Sequence, residues 1–171
     1  MIQYLVRFYG ILCMDIVSFR YICKLLIRKY HLLDYIKSKS VFNLEAAKEL
    51  INEHQYYAPS VHCSYYGCFQ HIMSKLNSIG ITYEIMDNDI ANSKQDGVPT
   101  LYSNKYPIDL IIKEISKKSD LIYTKNVRDK IKKLKLFRVM SDYHNDQINE
   151  PKSTEALRLS HEIINLINKK I

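Results

Sequence analysis

Tryptophan is absent from the 171 residues, and only four glycines and four prolines interrupt them. A β-sandwich or barrel needs tight turns between many short strands, so this scarcity weighs against those classes and favours helices. None of the four cysteines, Cys13, Cys23, Cys63 and Cys68, forms a CxxC pair. His54, His62 and His71 lie near two of them, but the spacings match no zinc finger or ribbon. The thiols read as buried and reduced in a cytoplasmic protein, with no metal and no cofactor expected. Long apolar runs are also missing. Arg7, Asp15, Arg20 and Lys24 cut the greasy N-terminal segment into pieces far short of the roughly 18 residues a membrane span needs. That segment has no small-residue cleavage site of the kind that ends a signal peptide. P-loop, GxGxxG, zincin and nucleophile-elbow motifs are all absent.

What remains is rich in isoleucine, leucine and lysine, at a length that suits one domain with a real core. The net charge of +7 is unevenly spread. Residues 1–40 carry seven Lys and Arg against two acids, residues 41–100 three against seven, and residues 101–171 fifteen against nine. Basic ends suit an anionic partner, of which nucleic acid is the commonest, while the acidic middle argues against a uniformly basic coat. A solvated, lysine-rich helix face is the alternative.

Periodicity predicts a bundle of about five helices. Residues 1–40 form an amphipathic N-terminal extension whose apolar positions, from Ile2 through Leu12, Phe19 and Leu26 to Leu33, step by three and four. Met14 is an alternative start, which leaves open whether residues 1–13 belong to the native chain. The main domain is expected over residues 41–171. A short helix starts after Ser38-Lys39-Ser40 with Asn43 as its cap. A second begins near Pro59 and stops at Gly80. Residues 81–104, studded with Asp, Asn, Gly and Pro, read as a long exposed acidic loop. A third helix is expected near Pro107, and a long basic one from Ser119-Asp120 to about Tyr143. The last starts at Ser153-Thr154-Glu155 and packs through Ala156, Leu159, Ile163, Leu166 and Ile167. The fold class is thus an all-α bundle of four to five helices with an added N-terminal helix.

Chemistry concentrates in residues 125–146, KNVRDKIKKLKLFRVMSDYHND. Arg138 is a permanent cation able to stabilise phosphate charge, and imidazoles such as that of His144 serve in proton transfer, so the pair suffices in principle for metal-free phosphodiester chemistry. On one continuous helix the two residues lie roughly 120° apart. They converge only if the helix breaks near Tyr143 or a second subunit supplies the partner. Lys125, Arg128, Lys132 and Lys135, with Lys130 and Lys133, offer a track for an RNA backbone, although the six cannot all face one way. His62, Tyr66 and Phe69 share one helical stripe. That stripe can stack on a base or approach Arg138, or it can be ordinary core with satisfied polar tips. His161 reads as structural or exposed.

Two segments, LEAAKELINEHQYYAPSVHCSYYGCFQHIMSKL (44–76) and KLFRVMSDYHNDQINEPKSTEALRLSHEIINLI (135–167), occur in an order and separation that resemble the HEPN domain family of small bacterial and archaeal helical bundles. The resemblance covers roughly residues 42–170 and leaves the first 40 without a functional reading. It implies a homodimeric, metal-independent endoribonuclease, often a toxin of toxin–antitoxin or phage-defence systems, with an antitoxin or nucleotidyltransferase as partner. Arg138 and His144 match the family's Arg, four to six residues, His spacing. By that resemblance His144 assists attack of the RNA 2′-OH, and Arg138 stabilises the phosphorane. Active members usually place a polar residue directly after the Arg, where this chain has Val139. Other members keep the Arg and a Ser/Ala-Asp-Tyr ending, here Ser141-Asp142-Tyr143, without a useful His, and resemble non-catalytic modules that bind a nucleotide or a protein. A peripheral membrane or docking role for the basic N-terminal helix is a third reading.

Overall fold

The computed structural model describes residues 35–95, 104–144 and 147–171, which form six α-helices and no strand. The chain divides into two units, Met1–Tyr35 and Ile36–Ile171. The helical seam expected before residue 34 lies outside the described residues, and the bundle is the second unit. Its helices are α1 (35–52), α2 (Tyr57–Ser78), α3 (Tyr83–Gln95), α4 (Tyr106–Ser116), α5 (Leu121–Tyr143) and α6 (Glu150–Asn168). The all-α expectation is met. Among the described residues no helix is long and apolar enough to cross a membrane.

Helix α2 occupies the centre and packs against α4, α5 and, most extensively, α6. Its buried positions Val61, Tyr65, Cys68, Ile72 and Leu76 recur at helical spacing, which gives it a wide apolar face. Where α2 meets α6 the side chains are small. Ser60, Ser64, Ser153, Ala156 and Ser160 are all fully buried. The hydroxyls of Ser60 and Ser153 bond to one another. Ser160 donates to the carbonyls of Ser64 at 2.8 Å and Ala156 at 2.9 Å. Small residues let two helices approach closely, and these bonds keep the buried hydroxyls from going unpaired. The Ser64 hydroxyl is the exception, with no partner among the described residues.

Three helix boundaries differ from the sequence expectation, each for a visible reason. Helix α1 runs unbroken through Ser38-Lys39-Ser40, because Ile36, Ser40, Ala47 and Ile51 form one buried stripe. Ser40 Oγ donates to the Gly67 carbonyl at 2.7 Å. Asn43, expected as a cap, sits inside the helix and donates from Nδ2 to Gln70 Oε1 at 2.9 Å. The segment expected to be an acidic loop contains α3. That helix is held by buried Met86 and Ser93, and its Asp89 accepts from the Tyr106 hydroxyl at 2.6 Å. Helix α6 starts three residues early, at Glu150, with the Asn149 side chain accepting from the Lys152 N–H at 3.2 Å and Pro151 in the first turn. Ser153, expected at the start, is part of the buried serine seam.

Helix α5 opens as expected, with Asp120 accepting from the Tyr123 N–H at 2.7 Å. Val127, Ile131 and Leu134 carry its core stripe. On its flank toward α6, Lys130 pairs with Glu162 at 2.8 Å and Lys133 with Glu155 at 3.0 Å.

Two stability tests follow from this packing. A Cβ at Gly67 would sit 2.7 Å from Leu44 Cγ and 3.1 Å from the Ser40 carbonyl oxygen. Gly67→Ala gains about 1 kcal/mol of helix propensity but overpacks the α1–α2 crossing at a cost of about 1–3 kcal/mol. Urea unfolding should show a net loss on the order of 1 kcal/mol, the small difference between those two effects. The second test uses acid. Hydrogen bonding from Arg158, reinforced by Lys133 and opposed by partial burial, holds Glu155 at about 2, well below its ordinary 4.5. A carboxylate depressed on folding contributes stability above its ordinary value and loses it as pH falls toward the folded one. Melting temperature should therefore fall between pH 4.5 and about 2, and Glu155→Gln should flatten that part of the profile.

Candidate functional site

The C-terminal turns of α5 bring a charge onto the buried side of the helix. Val127, Ile131 and Leu134 step by four and three, and Arg138 is the next position in that series. A guanidinium on a core stripe must be solvated by protein. Here three groups do so. Nε lies 2.7 Å from Asp142 Oδ2, one helical turn on, while the side chains of Arg138 and Asp142 are only 14% and 15% exposed. Nη2 donates to the hydroxyls of Tyr66 and Tyr143, each at 3.1 Å. The planar cation also lies near the rings of Tyr65, Tyr66 and Tyr143, at 5.8, 5.6 and 4.9 Å from their centroids. Burial works against the charge, but Tyr66, Asp142 and Tyr143 outweigh it and raise the guanidinium above its ordinary value. Burial likewise pushes the Tyr65 hydroxyl up to about 12, although Arg138 pulls the other way.

The fit is incomplete on two sides. The Nε contact with Asp142 is an ion pair without the alignment of a hydrogen bond, so the N–H is unpartnered among the described residues. Nη1 makes no hydrogen bond to any described residue. Nε is itself buried against Asp142, so Nη1 is the donor left for an incoming oxyanion.

Asp142 reaches in a second direction as well. Its two carboxylate oxygens lie 3.2 and 3.1 Å from His62 Nδ1. His62 is 48% exposed, and its ring is tilted 40° against that of Tyr66 with centroids 4.5 Å apart. The pairing depends on how α2 and α5 are pinned end to end. Ser141 Oγ donates to the Ala58 carbonyl at 2.8 Å, which sets the last turn of α5 against the first turn of α2. Between them is a recess of about 360 Å³ lined by Ala58, Pro59, His62, Cys63, Ser141 and Asp142.

Of the residues singled out from sequence, Arg138, Tyr66 and His62 come together in this cluster. The possible approach of the His62–Tyr66 stripe to Arg138 is realised, while Tyr66 and Phe69 are also partly buried against the core. His144 caps α5 just beyond Tyr143, where the backbone turns extended, so the helix does break at the place convergence would require. The imidazole joined to Arg138 through a shared carboxylate is nevertheless His62. Lys125, Arg128 and Lys132 are exposed and Lys135 is half-buried. Those four fall within about 80° of one another around the helix. Lys130 and Lys133 lie on the other flank, toward α6. His161 is exposed. Asp142 and Tyr143 are part of the site that the sequence motif contained without revealing their role. The four-residue step from Arg138 to Asp142 is the signal that marks them. Cys63 and Cys68 are free thiols, the latter buried and pushed up to about 12.

Comparison of the chain with protein-family models, with curated proteins and with solved structures finds no match.

A stability measurement tests the ion-pair arrangement. Asp142→Asn leaves a mostly buried guanidinium beside a neutral amide and takes the negative charge, with one of its two oxygens, away from His62. Chemical denaturation should show a loss of about 1.5–3 kcal/mol, the range for a charged hydrogen-bonding partner. A change below a few tenths would mean that Tyr66 and Tyr143 alone satisfy Arg138.

Proposed function

We propose that this chain is an RNA-binding helical bundle of HEPN type. Single-stranded RNA crosses the end of the bundle where Arg138 sits and follows the basic face of α5. The observation that carries this reading is the pairing of two features on one helix. Arg138 keeps Nη1 without an acceptor among the described residues in a tyrosine-lined site, and Lys125, Arg128, Lys132 and Lys135 form no ion pair with any described residue. A charged track plus exposed rings is what single-stranded nucleic acid uses, since phosphates take the cations and bases stack on aromatic faces. Tyr143, 69% exposed, and the tilted His62–Tyr66 pair are the available faces. Two copies of the chain are proposed to act together, and the metal-independent cleavage implied by the family resemblance is the further activity such a site permits.

A second reading is a protein-binding module, with an antitoxin or nucleotidyltransferase as the partner. Leu121, 86% exposed, and Leu136 share the basic face of α5, and a protein partner would cover them better than RNA.

Binding is tested by fluorescence anisotropy with a labelled, uncleavable 2′-O-methyl oligonucleotide in EDTA. Arg138→Ala should weaken affinity roughly tenfold, a loss in the range of one charge-assisted hydrogen-bonding group. Replacing both Lys125 and Lys132 with Ala should reduce the slope of log affinity against log salt by roughly 1.4, two phosphate contacts at about 0.7 each. Affinity unchanged in Arg138→Ala would remove the site from the binding surface.

A further inference from the structure

We propose that His62, with its imidazole held by Asp142, is the proton-transferring group of an RNA-cleaving site, with Arg138 as the cation that stabilises the phosphate. This rests on the RNA-binding reading above and adds a catalytic residue from α2 to an Arg supplied by α5.

Both oxygens of Asp142 lie within 3.2 Å of His62 Nδ1, so the carboxylate fixes the tautomer with hydrogen on Nδ1. Nε2 then carries the lone pair, on the edge of the ring away from the carboxylate. The ring is half exposed, lies against Tyr66 and lines the recess between the ends of α2 and α5. Arg138 Nε is 2.7 Å from the same Asp142. One carboxylate thus holds a base and a cation side by side, both within reach of its Oδ2, which suits a ribose 2′-OH and its neighbouring phosphate. Nε2 takes the 2′-OH proton as O2′ attacks phosphorus, and the O2′–P bond forms while the P–O5′ bond breaks. The leaving 5′-oxygen takes a proton from water, and the hydroxide so formed is neutralised by the proton on Nε2. The products are a 2′,3′-cyclic phosphate and a 5′-OH end, and the enzyme returns to its starting state. Asp142 is a positioning residue, since it acts through His62 and Arg138.

The test incubates purified full-length protein with a 5′-labelled, uridine-rich single-stranded RNA in EDTA, alongside binding to the uncleavable oligonucleotide. His62→Ala should lower the cleavage rate by about 100-fold or more, as loss of a general base does, with binding changed less than Arg138→Ala changes it. Added imidazole should restore part of that activity, a response that a merely structural role would not produce. Asp142→Asn should lower cleavage about tenfold or more, as loss of an orienting partner does, and Asp142→Glu should recover much of it. His161→Ala is the neutral control. Cleavage kept in His62→Ala but lost in His144→Ala would overturn the proposal and give the proton transfer to His144. RNA binding without cleavage by the wild-type protein would overturn it while leaving the binding reading intact. Absence of both would overturn both.

Discussion

A guanidinium on the buried side of a helix has to be met by other protein groups, and that requirement organises this end of the molecule. Arg138 extends the stripe of Val127, Ile131 and Leu134 to the last turns of α5. Had an apolar residue stood there, α2 and α5 would have closed over it as ordinary core. Instead Asp142 supplies the counter-charge, and Tyr66 and Tyr143 supply hydroxyl acceptors. The first turn of α2 is held nearby by Ser141. Asp142, drawn in for Arg138, also meets His62 across the gap between the helices. Satisfying one buried charge thus assembles an Arg, a carboxylate, an imidazole and three tyrosines at a solvent-open edge.

The seating of α2 makes this possible. Its serines lie against Ser153, Ala156 and Ser160 of α6, and Gly67 lets α1 approach within contact of its backbone. Close packing on those two sides fixes the rotation of α2, which sets the direction in which His62 and Tyr66 project. Tyr65, one position away, turns into the core and becomes nearly inaccessible, yet its ring still faces the guanidinium. At the far end of α2, His71 Nε2 lies 3.0 Å from Asn168 Oδ1 of α6, a second tie that resists rotation. Burial pulls the His71 imidazole below its ordinary value, so this tie is suited to the neutral ring.

The sequence showed the helical class, the cap at Asp120 and the break after Tyr143, because these depend on local patterns of apolar spacing and capping. It was misleading wherever tertiary contact overrode composition. Helix α3 is rich in Asp and Asn and reads as loop, but burial of Met86 and Ser93 and the bond from Tyr106 to Asp89 hold it. Ser40 looks like part of a linker until its hydroxyl is seen against Gly67. The start of α6 was misplaced at Ser153, although Asn149 followed by Pro151 is a strong helix-opening signal. In the site, Arg138 stood out as a cation in a motif, and Asp142 could have been marked by its four-residue step. The pairing of Asp142 with His62 spans 80 residues and two helices. Nothing in local spacing indicates which of several imidazoles will meet a given carboxylate.

The account places RNA on α5 and on the tyrosine-lined site at its end, and direct mapping of the contact surface tests that placement. Photocrosslinking with 4-thiouridine-substituted RNA, followed by mass spectrometry of the crosslinked peptides, reads the contacted residues without relying on any variant. Crosslinks to Tyr143, to Tyr66 or His62 and to the peptides carrying Lys132 and Lys135 are predicted. Crosslinks confined to α3 and α4, with the Arg138 cluster unmarked, would contradict the account.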